Sequence, residues 1–168
     1  FFYDRGAATL EHISRPIGSE KLWSGGSARP DVSDDGRYVA FVSRASNLVD
    51  GQVDPGTNFS LFLHDRQEGV TTLISHAAGQ PLTAASGEVY SFVLSRDGQA
   101  LAFADMATDL VDGQVDFSDT WDIFHHDVPT GVTRLVSHAA GMPNQAAANV
   151  PKGQGWYPRY GMSADGAR

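Results

Sequence analysis

The sequence predicts an all-β protein built from repeated four-stranded antiparallel sheets, and three observations support this prediction. Residues 33–79 and 95–141 share 25 of 47 positions without a gap, at a constant offset of 62 residues. Each copy contains four short apolar runs that are separated by turn-forming residues. No stretch shows the sustained 3.6-residue periodicity and end caps that are typical of a helix.

The four runs of the second copy have the length and composition of β-strands. They are rich in Val, Ile, Leu, Phe or Thr and lie at residues 89–95, 100–105, 122–127 and 132–138. Asp-Gly or Thr-Gly pairs precede the second and fourth runs, and they favour tight turns because Gly tolerates a positive φ. Strands joined by tight turns are antiparallel neighbours, so each copy is predicted to be a four-stranded meander.

The apolar pattern within a copy predicts which strands are buried. The first two strands carry consecutive apolar residues, as in "YVAFV" at 38–42, which predicts burial on both faces. The fourth strand alternates, as in "TTLISH" at 71–76, which indicates an outer strand with one face in water. Units of this kind, repeated at a fixed length, are typical of the blades of a β-propeller. A stacked β-solenoid is the alternative, although its repeats are usually much shorter.

Partial copies flank the two complete ones. Residues 1–14 match the end of a copy and residues 158–168 match its beginning. We therefore interpret the chain as one propeller segment, 1–168, whose parts are the end of one blade, two blades and the start of the next: 1–27, 28–88, 89–155 and 156–168. At 62 residues per blade the chain holds about 2.7 blades. A closed ring takes about 4–8 blades, so the remaining blades are expected from the same longer chain or from other copies.

Composition excludes several classes of function. The chain has 20 acidic and 12 basic residues, a formal net charge of −8. A nucleic-acid partner is not expected, because binding a phosphate backbone requires a basic face. The absence of cysteine excludes disulfides, thiolate metal sites and cysteine nucleophiles. No apolar run approaches the roughly 20 residues that a membrane-spanning helix needs.

Reactive residue types recur in both copies, which argues against catalysis. His64 and His126 are equivalent, as are His76 and His138, and a catalytic residue is normally unique. Their recurrence predicts packing or hydrogen-bonding roles, and the aspartates that precede the turns are predicted to cap them. Ser163 in "GMSAD" lacks the closing Gly of a nucleophile elbow. The chain is therefore predicted not to be an enzyme, and no catalytic residue is assigned.

Long loops are expected to carry any binding site. The loop between the second and third strands and the link to the next copy should lie at the same end of each sheet, and loops on a rigid scaffold often carry function. The second copy places four candidate Ca²⁺ ligands in this region: Asp112, Asp116, Asp119 and Asp122. Ca²⁺ takes 6–8 oxygen ligands. The alternative interpretation is structural, because Asp side chains commonly tie nearby backbone N–H groups in loops.

The repeated motifs resemble a known family. "S-x-D-G-R-x-V-A-F-x-S", "S-N-L-V-x-G" and "F-x-x-D-x-x-x-G-x-T-x-L-x-S" are similar to the bacterial TolB-like β-propeller repeats, the PD40 or WD40-like class, over nearly the whole chain. The resemblance implies a periplasmic or extracellular bacterial protein in which this segment is a binding or structural module for a protein or carbohydrate ligand. It also implies an alternative, the propeller of a serine peptidase or polysaccharide-acting enzyme whose catalytic residues lie outside this chain.

A subgroup of that family often carries "V-D-T-N-G-x-x-D-V-F" in the long loop. Asp116 and Asp122 match its two acidic residues, while Ser118 stands in place of its Asn. In the first copy Asp54 matches, but Gly56 and Ser60 depart from the pattern. These departures argue against the idea that the two loops both bind an ion.

Overall fold

In the computed structural model, the protein is described at residues 1–17, 25–54, 57–116, 120–147 and 161–166. These residues form the following strands: β1 (Phe2–Asp4), β2 (Thr9–Glu11), β3 (Ser27–Val32), β4 (Tyr38–Ser43), β5 (Ser60–Asp65), β6 (Val70–Leu73), β7 (Val89–Leu94), β8 (Ala100–Asp105), β9 (Asp122–Asp127), β10 (Val132–Leu135), β11 (His138–Ala139) and β12 (Met142–Ala146). Within these ranges there is no helix that is long and apolar enough to cross a membrane.

The strands form two four-stranded antiparallel sheets, as the repeat predicts. The first sheet has the order β3-β4-β5-β6 and the second has the order β7-β8-β9-β10, with β1–β2 and β11–β12 as separate pairs. The registers are equivalent, because Phe41 lies opposite Phe62 and Phe103 lies opposite Phe124. The ring centroids of these two pairs are 5.7 and 5.5 Å apart. Both meanders and the all-β class are confirmed.

Burial follows the predicted pattern except at the first strand. β4, β5 and β8 are almost entirely buried, and β6 and β10 alternate towards a buried final Leu, as an outer strand should. The prediction that the first strand is buried on both faces is wrong for β3, which is almost entirely exposed. Among the described residues β3 and β7 are both edge strands, but β3 reads Ser-Ala-Arg-Pro-Asp-Val and lacks the consecutive apolar residues of β7, so its side chains stay in water.

The first sheet packs on both of its faces. One face contributes Ala40, Val42 and Leu61 to a core that it shares with Leu101 and Phe103 of the second sheet. The opposite face packs against the N-terminal hairpin in a second core, whose members include Val39, Phe41, Phe62, Leu73, Ile13 and Phe2. Since every apolar face needs a partner, successive units bury one another in order along the chain.

The same backbone contacts join successive units at the ends that carry the Asp-Gly turns. The backbone N–H of Asp34 donates to the carbonyl of Arg96 at 2.7 Å, and the N–H of Arg96 donates to the carbonyl of Ala164 at 3.0 Å. These three residues hold the same position in successive copies of the turn. Gly98 follows in the second turn with a φ of +73°, and a Cβ there would collide with the ring of Tyr38. Only Gly therefore fits this joint.

A second repeated contact joins the units at the opposite end. The N–H of Ile17 donates to the carbonyl of Asn47 at 2.8 Å, and the N–H of Ala78 donates to the carbonyl of Asp109 at 2.7 Å. Asn47 and Asp109 are equivalent in the repeat. Each unit is thus fixed to its neighbour at both ends by contacts that recur.

Candidate functional site

The acidic loop that contains "LVDGQVD" in both copies of the repeat is held together by a glutamine side chain. In the second copy, Gln114 Oε1 accepts from the N–H groups of Leu110 and Val111, both at 3.1 Å. Its Nε2 donates to the carbonyl of Ala107 at 2.7 Å and to Asp116 Oδ2 at 3.2 Å. The structural interpretation of the loop predicted that Asp side chains would make its internal hydrogen bonds. Most of these bonds are instead made by Gln114, because its amide can donate and accept at the same time.

The first copy repeats this arrangement bond for bond. Gln52 accepts from the N–H groups of Leu48 and Val49 at 2.9 and 3.1 Å. It donates to the carbonyl of Ala45 at 2.8 Å and to Asp54 at 3.2 Å. The repeated phrase "LVDGQVD" is therefore accounted for by the architecture of the loop.

The two long segments of each unit lie side by side, as predicted. Val53 forms a parallel bridge with Thr83, and Val115 forms the equivalent bridge with Gln145. The bridges connect the loop between the second and third strands to the link that leads into the next unit.

The four candidate Ca²⁺ ligands take different positions. Asp112 lies on an exposed turn, where its carbonyl accepts from Asn144 Nδ2 at 3.0 Å. Asp116 and Asp122 meet at one hydroxyl, because Thr120 Oγ1 lies 3.3 Å from Asp116 Oδ1 and 3.5 Å from Asp122 Oδ2. Asp119 lies outside the described residues.

Within the described ranges, no group of three or more His, Asp or Glu side chains is arranged to hold a metal ion. The structure brings together two of the four predicted ligands. Ser137 Oγ also donates to Asp122 Oδ1 at 2.5 Å, so part of that carboxylate is engaged within the protein. The four-residue Ca²⁺ site remains a prediction.

The structure adds a carboxyl group that the sequence reasoning missed. Asp105 ends β8 directly opposite Asp122, and the two side chains belong to residues that are 1% and 0% exposed. The equivalent residues of the first sheet are Ser43 and Ser60, which also lie opposite each other and are also buried. The second sheet therefore carries a buried carboxyl pair where the first carries a serine pair. The signal was present in the sequence as two Ser-to-Asp differences between otherwise matching copies.

Burial controls the protonation of Asp105. It raises the pKa of this carboxyl to about 7, with smaller increases from the charges of Asp109 and Glu88, while hydrogen bonds from the backbone N–H groups of Ala107 and Met106 lower it. The Ala107 N–H donates to Asp105 Oδ1 at 2.9 Å. Gly87 lies so close that a Cβ there would collide with the same oxygen.

A carboxyl with this pKa can exchange a proton near neutral pH, which is the property of a general acid or base. Catalysis also requires that the group reach a substrate, and Asp105 is only 1% exposed. The arrangement can therefore hold a proton inside the second sheet, but it offers no open path to a reacting atom.

The recurrent histidines have structural roles, as predicted. His64 Nδ1 lies 2.9 Å from Thr71 Oγ1, and His126 Nδ1 lies 2.9 Å from Thr133 Oγ1. Burial lowers the pKa of both imidazoles, and that of His126 falls to about 4 with a further contribution from the neighbouring charge of His76.

The aspartates near the turns act as predicted caps. Asp65 accepts from the N–H groups of Gln67 and Glu68 at 2.9 and 3.2 Å, and Asp127 accepts from the N–H of Thr130 at 2.9 Å. Ser163 donates to Asp165 at 2.6 Å, the same distance as the equivalent serine–aspartate pairs of the two earlier turns. Ser163 is thus a turn residue.

No model of a known protein family matches the chain, and no curated protein matches it. The similarity of the repeat motifs to the TolB-like class therefore remains a prediction from the sequence.

Proposed function

We propose that this chain is a non-catalytic segment of a β-propeller that serves as a binding or structural scaffold within a larger exported bacterial protein. One observation carries the proposal: the same contacts join successive units at both ends. The contacts from Asp34 to Arg96 and from Arg96 to Ala164 recur at one end, and those from Ile17 to Asn47 and Ala78 to Asp109 recur at the other. Repeated joints apply the same displacement at every step, which blades around an axis require and which a stacked solenoid would share; the length of the repeat favours the propeller.

The polar side chains that recur in both copies are hydrogen-bonded within the protein, which supports a scaffold more than an enzyme. The Gln52 and Gln114 side chains are engaged in holding their own loops. Two of the recurrent histidines are bonded to Thr and the other two to the carbonyl of the following residue. The Asp105 and Asp122 pair, which replaces the serine pair of the first sheet, is buried. The long loops and inter-unit links form the end of each sheet that we propose for a protein or carbohydrate ligand.

A candidate Ca²⁺ site is confined to the second loop. Among the described residues, Asp116 and Asp122 would be its ligands, because both approach Thr120 Oγ1. The first copy has Thr57 and Ser60 where the second has Asp119 and Asp122, and it therefore has two fewer of the candidate carboxylates. Two carboxylates supply at most four of the 6–8 oxygens that Ca²⁺ takes, so further loop or water oxygens would complete the set.

Turnover assays test the non-catalytic part of the proposal. The purified chain should show no turnover of peptide, ester or glycan substrates above the rate of an Asp105→Asn variant prepared in parallel. Substrate turnover by the unaltered chain that disappears in the variant would show that the buried pair is catalytic and would refute the proposal.

A further inference from the structure

The sequence contains five Asp-Gly pairs, and the structure holds them in two different ways. An Asp-Gly pair is the dipeptide in which the aspartyl carboxyl is most readily attacked by the next backbone nitrogen, because Gly has no side chain to hinder the approach. Three pairs lie in the turns of the "S-x-D-G" motif and two lie in the repeated "LVDGQVD" loops. The turn pairs are Asp35-Gly36, Asp97-Gly98 and Asp165-Gly166, and the loop pairs are Asp50-Gly51 and Asp112-Gly113. The surroundings of each pair decide whether its carboxyl can react.

Both reacting groups are engaged in the turn pairs. Asp97 Oδ1 accepts from Ser95 Oγ at 2.6 Å and from the N–H of Gln99 at 3.0 Å. The N–H of Gly98 donates to the carbonyl of Ser95 at 2.9 Å. The turn of the first copy repeats all three bonds, and the turn at residues 163–166 repeats the two that involve its serine. In these turns the Gly nitrogen cannot approach the carboxyl carbon until several hydrogen bonds break.

Neither reacting group is engaged in the loop pairs. Asp50 and Asp112 are exposed. Within the described residues, neither carboxylate accepts a hydrogen bond, and neither the Gly51 nor the Gly113 N–H donates one. A Cβ built at either glycine would meet one atom within 4 Å, at 3.4 or 3.7 Å, so the space around both pairs is open. The carboxyl and the nitrogen of each loop pair can therefore approach each other once the main chain between them rotates.

We propose that Asp50 and Asp112 are sites of isoaspartate formation, and that this modification opens the loop that contains each of them. The backbone nitrogen of the following Gly attacks Cγ of the Asp, its proton and the carboxyl hydroxyl leave as water, and a succinimide ring remains. Water then adds to the main-chain carbonyl of the ring and breaks the bond from that carbon to the Gly nitrogen. The main chain now passes through Cβ and Cγ, and the composition of the protein is unchanged.

The extra main-chain carbon falls between groups that the loop glutamine holds together. In the first copy Gln52 Oε1 accepts from the N–H groups of Leu48 and Val49, and the N–H of Gln52 donates to the carbonyl of Val49 at 3.1 Å. All three bonds span Asp50, so a longer main chain separates their donors from their acceptors. Gln114 is placed in the same way around Asp112. The inference does not depend on how the units are arranged, so its failure would leave the proposed function untouched.

Peptide mapping after prolonged incubation of the intact protein provides the test. The buffer is mildly acidic, because the protonated carboxyl is the form that loses its hydroxyl. Electron-transfer fragmentation distinguishes isoaspartate from aspartate at each position, although their masses are equal. The two loop pairs should contain about tenfold or more isoaspartate than the three turn pairs, because the hydrogen bonds of the turn pairs must break before the nitrogen attacks. The chain unfolded in urea is the matched control, and there all five pairs should react at similar rates.

Hydrogen exchange on the incubated samples tests the opening of the loops. The loop amides that donate to Gln52 and Gln114 should lose protection as isoaspartate accumulates. A variant that combines Asp50→Glu with Asp112→Glu keeps both charges but needs a larger ring that closes far more slowly, so its loop amides should stay protected. Both replaced side chains are exposed, so the variant should melt at the temperature of the unaltered protein, which is measured first.

Three results would overturn the proposal. The first is equal isoaspartate at the loop pairs and the turn pairs of the folded protein. The second is full protection of the loop amides in molecules that carry isoaspartate. The third is an equal loss of protection in the unaltered protein and the doubly substituted variant.

Discussion

The unaltered protein should lose stability as the pH rises because of Asp105, and the Asp105→Asn variant should not show this loss. The pKa of the buried carboxyl is about 7 in the folded protein, against an ordinary value of 3.8. Between these two values the folded chain holds a proton at this site that the unfolded chain has released. The unfolded state therefore binds fewer protons, and the free energy of unfolding falls with rising pH. The contribution is fully present below pH 3.8 and is lost above about pH 7.

The size of the effect follows from the same pKa difference. One proton corresponds to a slope of about 1.4 kcal/mol per pH unit. Over the interval from 3.8 to about 7 this amounts to about 4 kcal/mol, a large fraction of the stability of a small domain. Asn has nearly the shape of Asp and keeps an oxygen that can accept from the Ala107 N–H, which the carboxyl accepts at 2.9 Å. The substitution therefore removes the charge without removing this hydrogen bond.

Urea unfolding from pH 4 to pH 8 measures the effect. The difference in unfolding free energy between Asp105→Asn and the unaltered protein should shift by about 4 kcal/mol in favour of the variant across this range. Titrating groups that do not interact with Asp105 contribute equally to both proteins and cancel in the difference, whereas the charges of Asp109 and Glu88 add a smaller contribution. Asp112→Asn, which neutralises a carboxyl on an exposed turn, is the control and should follow the unaltered protein. Parallel curves for Asp105→Asn and the unaltered protein would refute the reasoning.

Four further predictions concern the loops, the joint and the second buried histidine. Gln114→Ala should destabilise the protein by about 2–3 kcal/mol in urea unfolding, because it leaves several loop groups without their hydrogen-bond partner; a change below 0.5 kcal/mol would show that the glutamine does not hold the loop. Gly98→Ala should cost about 2–4 kcal/mol, because a Cβ there meets a tyrosine ring at a positive φ, whereas Gly69→Ala, at a similar φ in open space, should cost only about 1–2 kcal/mol. The pKa of His126 is about 4 in the folded protein against an ordinary 6.5, so the stability that is present above pH 6.5 is lost as the pH falls towards 4. His126→Gln should therefore reduce the loss of stability in acid by about 3 kcal/mol. Equal acid unfolding of both proteins would contradict this. The structural interpretation of the second loop predicts the same melting temperature with and without millimolar Ca²⁺, and a rise that Asp116→Asn removes would instead establish the ion site.

The strands and their order could be predicted because the information that determines them is local. The runs at 100–105 and 122–127 coincide with β8 and β9, since turn residues and apolar runs bound them on both sides. The exposure of β3 was also readable from local sequence, because "SARPDV" contains Arg, Pro and Asp and has no consecutive apolar residues. The burial prediction extended the apolar pattern of β4 and β7 to a strand that does not carry it.

The candidate site was only partly predictable for a related reason. Asp116 and Asp122 lie near each other in the sequence, so their proximity followed from spacing. Asp105 meets Asp122 only through the register of β8 and β9, which the sequence does not state directly. Comparing the two copies for differences shows the pair, because Ser43 and Ser60 both change to Asp at positions that face each other.

The arrangement of the units as propeller blades can be measured as the rotation that superposes residues 33–79 on residues 95–141 in an experimentally determined structure. Blades arranged around an axis in a ring of about 4–8 units require a rotation of about 45–90° at each step. We expect a rotation in that range, with the joints at Arg96 and Asp109 intact. A translation of about 10 Å with almost no rotation, as in sheets stacked face to face, would contradict it.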